Sequence, residues 1–128
     1  MKLGYTLFYV DDVVKSMDFY ETAFGLTKGF LHESHQYGEM ATGETKIGFV
    51  HHETAGSHGF EYERVSVKGK PFAFEVGLVT NDVDGAFKKA VENGAVPVSP
   101  PKTKPWGQVV SYVRDCNGFL VEICSPMS

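Results

Sequence analysis

Two glutamates stand in strongly apolar surroundings: Glu75 within FAFEVGLVT and Glu122 within FLVEIC. A carboxylate in such a run is costly unless it is paired, solvated or put to use. The uses open to it are ligand binding and general acid/base proton transfer by a carboxyl whose pKa its surroundings have moved. The competing reading is that arginine, lysine or backbone groups satisfy both at a wet cavity mouth. His52 closes the run TKIGFVHH and is either a general base or metal ligand, or a half-exposed strand-end imidazole. Trp106, in a Pro-Trp-Gly loop, could stack on a planar ligand or anchor its loop. Tyr5, Tyr9 and Tyr37 are candidate pocket aromatics, although tyrosine is also an ordinary sheet residue. Cys124 reads as a small apolar filler. His32, His35, His51 and His58 read as surface residues, and Arg114-Asp115 as an exposed strand end before a turn.

These side chains need elements to carry them. Residues 3–10 are rich in aromatic and branched residues and read as a strand. Asp11-Asp12 offers an N-cap, and Val13, Met17, Tyr20 and Phe24 recur at helical spacing until Gly25. Strands are expected at 27–33 and 36–42 around a turn at Ser34-His35, and at 45–52. The order then repeats. A strand is expected at 72–80, and Asn81-Asp82 caps a helix striped by Val83, Phe87, Ala90 and Val91 that ends at Asn93-Gly94. A short strand follows at 96–98, at a sheet edge because of Pro97. After a loop containing Pro100, Pro101 and Pro105, strands at 108–114 and 119–124 flank a Cys116-Asn117-Gly118 turn.

A shift of 70 residues aligns Asp12-Val13 with Asp82-Val83, and a shift of 74 aligns Ile47-Gly48-Phe49 with Val121-Glu122-Ile123. The order of elements, more than identity, points to an internal duplication. The expected fold is α+β: two tandem βαβββ modules forming a cupped, barrel-like mixed sheet around a cavity. The chain reads as a single domain over 1–128, with module 1 at about 1–52, a Gly- and charge-rich joint at 53–71 and module 2 at about 72–128. One helix covers one face of each sheet, so the other face must be buried by something else, and cavities made this way bind small molecules.

Bulk properties narrow the classes. A chain of 128 residues with 42% hydrophobic and 22% charged residues is globular and can bury one adequate core. A net charge of −4 argues against nucleic acid as partner. No apolar run approaches the ~20 residues a membrane helix needs. The apolar stretch Leu3–Val10 ends in Asp11-Asp12 without a small-residue cleavage site, so no signal peptide is read. Two cysteines are too few for a secreted disulfide scaffold. The expectation is a cytoplasmic protein.

The duplicated pattern resembles the vicinal oxygen chelate superfamily of glyoxalases, bleomycin-resistance proteins and extradiol dioxygenases. The resemblance rests on Tyr9-Val10-Asp11-Asp12-Val13 with Ser16, Phe19-Tyr20 and Phe24-Gly25. It rests more specifically on PWGQVVSYVRDCNGFLVEICSP from Pro105 to Pro126. The family's Asp-Pro-Asp-Gly turn stands here as Asp-Cys-Asn-Gly. Metal-using members place a ligand on the first and last strand of each half, and the resemblance puts those places at Tyr5, Gly48, Glu75 and Glu122. His or Glu is usual at each. Two carboxylates and a phenol make a poor zinc or nickel site. If position 48 faces inward, so do Val50 and His52, and parity adds Tyr5, Leu7 and Tyr9 from the first strand. In the second half Ala73, Glu75, Gly77, Leu120, Glu122 and Cys124 face in.

Two functions follow from the resemblance. The first is a homodimeric small-molecule-binding protein of the bleomycin-resistance type. It would sequester its ligand, without cofactor or catalytic metal, against Tyr5, Leu7, Tyr9, His52, Trp106 and Leu120, and the Glu75 and Glu122 carboxyls with the aromatics around them make a cationic or aromatic ligand the expectation. The second is a glyoxalase-like lyase or isomerase that uses a divalent metal, or uses Glu75 and Glu122 as its proton-transfer pair.

Overall fold

The structure, a computed structural model, describes residues 1–127. They form two compact units, one from Met1 to Arg64 and one from Val65 onward. The first carries β1 (Thr6–Val10), α1 (Val13–Phe24), β2 (Thr27–Leu31), β3 (Tyr37–Thr42), β4 (Thr45–His51) and α2 (His52–Gly56). The second carries β5 (Glu75–Val79), α3 (Val83–Glu92), β6 (Val96–Thr103), β7 (Val109–Arg114) and β8 (Leu120–Cys124). Each unit holds an open four-stranded sheet, ordered β1-β4-β3-β2 and β5-β8-β7-β6. The β1–β4 and β5–β8 pairs are parallel and the others antiparallel, so both sheets are mixed and the fold is α+β with a βαβββ order in each unit.

The aspartate caps start both long helices. Asp12 Oδ1 accepts from the Lys15 amide at 2.9 Å, and Asp82 Oδ1 from the Gly85 amide at 3.0 Å. Gly25, at φ 71°, ends α1 in the left-handed conformation that glycine adopts without a Cβ penalty. The stripe on α1 buries Val13, Met17 and Tyr20 against Phe8, Met40 and Phe49, with the Tyr20 and Phe49 rings edge-on at 5.0 Å. In the second unit Val83 and Ala90 of α3, Val113 of β7 and Val121 and Ile123 of β8 are buried. Ser111, fully buried among them, donates to the Ile123 carbonyl at 2.8 Å and so leaves no polar atom stranded.

Three expectations are corrected. The strand expected at 72–80 begins only at Glu75, because residues 71–74 make no ladder. The short strand and Pro-rich loop are one eight-residue strand, β6, which runs through Pro97, Pro100 and Pro101. It is an edge strand with register shifts at Pro97/Ser99 and Ser99/Lys102, which is how a sheet accommodates residues lacking an N–H. The strand expected at 45–52 stops at His51, whose Nδ1 accepts from the Glu53 amide at 3.0 Å and caps α2. His52 is therefore a helical residue, and strand parity does not govern it.

Candidate ligand site

Alternation divides each strand of the second sheet. Along β8, Val121 and Ile123 face the helix, and Leu120, Glu122 and Cys124 take the other face; on β5, Glu75, Gly77 and Val79 are exposed. The register sets Glu122 opposite Gly77 on one side and opposite Tyr112 on the other. A Cβ at Gly77 would meet nothing within 4 Å, so the space beside Glu122 is open. The Tyr112 hydroxyl donates to Glu122 Oε1 at 3.0 Å.

Glu75 meets the Glu122 carboxyl diagonally, from two residues along β5. Its pKa is raised, first by burial and then by the Glu122 charge beside it. Burial, then the Glu122 carboxylate, push the Tyr112 phenol up to about 12 and the Cys124 thiol up to about 12. Cys124 thus stays a thiol at neutral pH, as expected of a filler. Against this group lies a cleft of about 550 Å³, walled by Phe72, Phe74, Val98, Tyr112 and Leu120 beside Glu75.

Arg114 departs from its reading as an exposed strand end. It is only 8% exposed, and its guanidinium donates to the backbone carbonyls of Ser66, Val67, Gly69 and Gly118. Trp106 is 63% exposed, donates from Nε1 to Gln108 Oε1 at 2.9 Å, and borders a separate small cleft with Met127.

The first sheet carries a different constellation. Gly48 pairs with Leu7 and Glu39, and Val50 with Tyr9 and Tyr37, so these residues share the face away from α1. Glu39 went unnoticed in the sequence. Its Oε2 accepts from the Tyr37 hydroxyl at 2.6 Å and its Oε1 from Lys46 Nζ at 3.2 Å. The Tyr37 bond, with Lys46 adding to it, lowers the Glu39 pKa against the opposing effect of burial. Burial and the Glu39 carboxylate raise the Tyr37 phenol. Tyr5, just before β1, is 53% exposed. Tyr9 packs edge-on against Tyr62 at 4.9 Å and stacks on Phe60 at 6.5 Å.

His52 is buried, with its ring stacked on Tyr62 and Nδ1 2.7 Å from the Tyr62 hydroxyl. Its Nε2 lies 3.7 Å from Asp11 Oδ1, which also meets Arg64 at 3.6 Å. Burial first, then Arg64 and His51, lower the His52 pKa against the pull of Asp11. This imidazole is a packed and hydrogen-bonded core group. It lines a cleft of about 630 Å³ with Tyr62 and Arg64.

The model of the Glyoxalase/Bleomycin resistance protein/Dioxygenase superfamily matches residues 2–123. The chain belongs to this superfamily. It is 31% identical over 125 residues to the uncharacterized protein YraH of Bacillus subtilis (strain 168), a match that covers 96% of this chain and 97% of YraH. It shares its fold with a glyoxalase-related enzyme from Fulvimarina pelagi (TM-score 0.83, 16% identity, 98% of this chain and 88% of that one). It also shares it with TioX from Micromonospora sp. ML1 (TM-score 0.74, 23% identity, 98% of each chain).

The four positions that the resemblance gives to metal ligands carry a donor set that does not fit zinc or nickel. Tyr5 and Gly48 supply a phenol and no side chain, and only Glu75 and Glu122 supply carboxylates. A Cβ at Gly48 would stand 2.5 Å from Leu7 Cδ2 and 3.2 Å from the Tyr37 hydroxyl, so neighbours already occupy the space a side chain there would need. Among the described residues no three His, Cys, Asp or Glu side chains cluster as a metal would need. Also among them, no helix is long and apolar enough to cross a membrane.

Proposed function

We propose that this superfamily member binds a small cationic, partly aromatic molecule on the open face of its second sheet, without a metal or cofactor and as a cytoplasmic homodimer. The observation that carries the reading is the Glu75–Glu122 pair. Two carboxyls meet beside an aromatic-walled cleft, and burial and mutual charge already push Glu75 toward its acid form. An ammonium or guanidinium relieves that repulsion, while Phe72, Phe74 and Tyr112 supply apolar contact and cation–π attraction.

Titration calorimetry with benzyltrimethylammonium against benzoate tests it. Binding of the cation alone, weakened several-fold by Glu75→Gln and by Glu122→Gln, is the expected result. Equal binding of the two probes, or none, overturns the reading.

The raised Glu75 pKa favours a second reading, a glyoxalase-like lyase or isomerase in which Glu75 moves a proton to or from a carbon acid. It requires turnover that Glu75→Gln abolishes, with a pH profile that follows Glu75.

A further inference from the structure

Arg114 ends β7, and its side chain turns back to hold a loop of the same unit. Nε donates to the Gly118 carbonyl at 2.9 Å, Nη1 to Gly69 at 2.6 Å and Val67 at 3.3 Å, and Nη2 to Ser66 at 2.9 Å. Only a planar guanidinium fork, with five donors in fixed directions, meets four such acceptors at once; an ammonium has three donors on a flexible stem. The acceptors are gathered beforehand. The Gly69 amide donates to the Ser66 carbonyl at 3.0 Å, and the Lys68 amide to Ser66 Oγ at 3.2 Å. Gly118, at φ 105°, admits the loop, since a Cβ there would lie 2.8 Å from the Ser66 carbonyl carbon.

Beyond this loop the chain enters β5 at Glu75, opposite Leu120. Residues 70–74 between the two anchors belong to no strand, and Pro71, Phe72, Ala73 and Phe74 line the Glu75 cleft. With no ladder bonds of its own, such a segment is as ordered as its ends. We infer that Arg114 is a positioning residue for the Glu75 cavity: its four-carbonyl clamp fixes one end of a strap whose Phe72 and Phe74 form the wall against which a cationic ligand sits. The inference rests on the cavity's being a ligand site, and it adds a residue that never touches the ligand.

Hydrogen exchange and binding kinetics on Arg114→Lys decide it, with benzyltrimethylammonium as probe. Exchange at the hydrogen-bonded Lys68 and Gly69 amides should quicken about ten-fold while 109–113 stays unchanged. Probe affinity, measured well below the melting temperature of both proteins, should fall about five-fold through faster dissociation. Unchanged exchange at Lys68 and Gly69 overturns the clamp, and loosened exchange with unchanged affinity overturns the positioning role. A Gly-Gly insertion between Lys70 and Pro71 leaves Arg114 and its acceptors alone and covers the case in which Arg114→Lys fails to fold. It should lower affinity with normal exchange at 66–69, and wild-type affinity overturns the inference. If the wild type binds no probe, the cationic reading of the cavity fails, and the clamp stands or falls on the exchange comparison.

Discussion

Tyr112 and Glu122 face each other across β7 and β8, and the phenol donates to the carboxylate at 3.0 Å. Glu75 reaches the same carboxyl from the parallel strand on the other side. In the first sheet Glu39 likewise accepts from a tyrosine, but Lys46 joins it there. The two sheets thus each present a tyrosine–glutamate pair, with an added cation in one and an added acid in the other.

Glu75→Gln should stabilise the empty protein near pH 7 by roughly 0.5 kcal/mol, a value kept small because the side chain is more than a third exposed and its charge is screened. The folded pKa is raised above the ordinary 4.5. The contribution of Glu75 is therefore fully present below pH 4.5 and is lost as pH rises through the folded value. Urea denaturation of both proteins from pH 4 to 7.5 should show the gap opening as pH rises. A constant gap would refute the linkage.

His52 should act in the opposite sense. Its folded pKa is lowered from 6.5, so its stabilising effect is complete above pH 6.5 and is lost as pH falls through the folded value. The imidazole carbon-proton resonances followed by NMR should titrate below pH 6.5. His52→Gln should flatten this part of the stability profile, where Glu75→Gln alone leaves it.

Gly48→Ala should cost about 1–2 kcal/mol, because the added methyl overlaps Leu7 Cδ2. In a Leu7→Ala background the cost should fall by at least about 0.5 kcal/mol, the coupling expected of residues in contact. Additive penalties in a double-mutant cycle would show that Leu7 is not what crowds position 48.

Light scattering should give twice the chain mass of 14.1 kDa at micromolar concentration. Each unit leaves one sheet face uncovered by its helix and exposes large apolar side chains, Tyr5 and Phe30 in the first and Phe74 and Val79 in the second. A mass near that of one chain would count against the homodimer.

The elements that period and caps specify were legible in the sequence: Asp12, Gly25 and Asp82 sit where helix ends require them. So was the strand alternation that sets Glu75 and Glu122 on one face. What escaped was whatever depends on contacts distant in sequence. The helix α2 spans five residues, too few for a periodic stripe, and depends on a histidine cap. Phe72 and Phe74 look like strand residues, but no partner strand takes them. Arg114 owes its burial to carbonyls more than forty positions earlier in the chain. Glu39 was hidden because nothing local distinguishes a carboxylate on a sheet face from one in solvent.

Three of the eight residues of β6 are proline, and the strand forms one margin of its sheet. A proline offers an incoming strand no donor, and the register shifts bend the margin further from a flat template. That border is guarded against runaway cross-β growth, the hazard that accompanies crowded synthesis of sheet proteins. The opposite border, β5, has no proline and leaves Val79 64% exposed. If unfolding or overexpression starts aggregation in this unit, it should spread from Glu75–Val79.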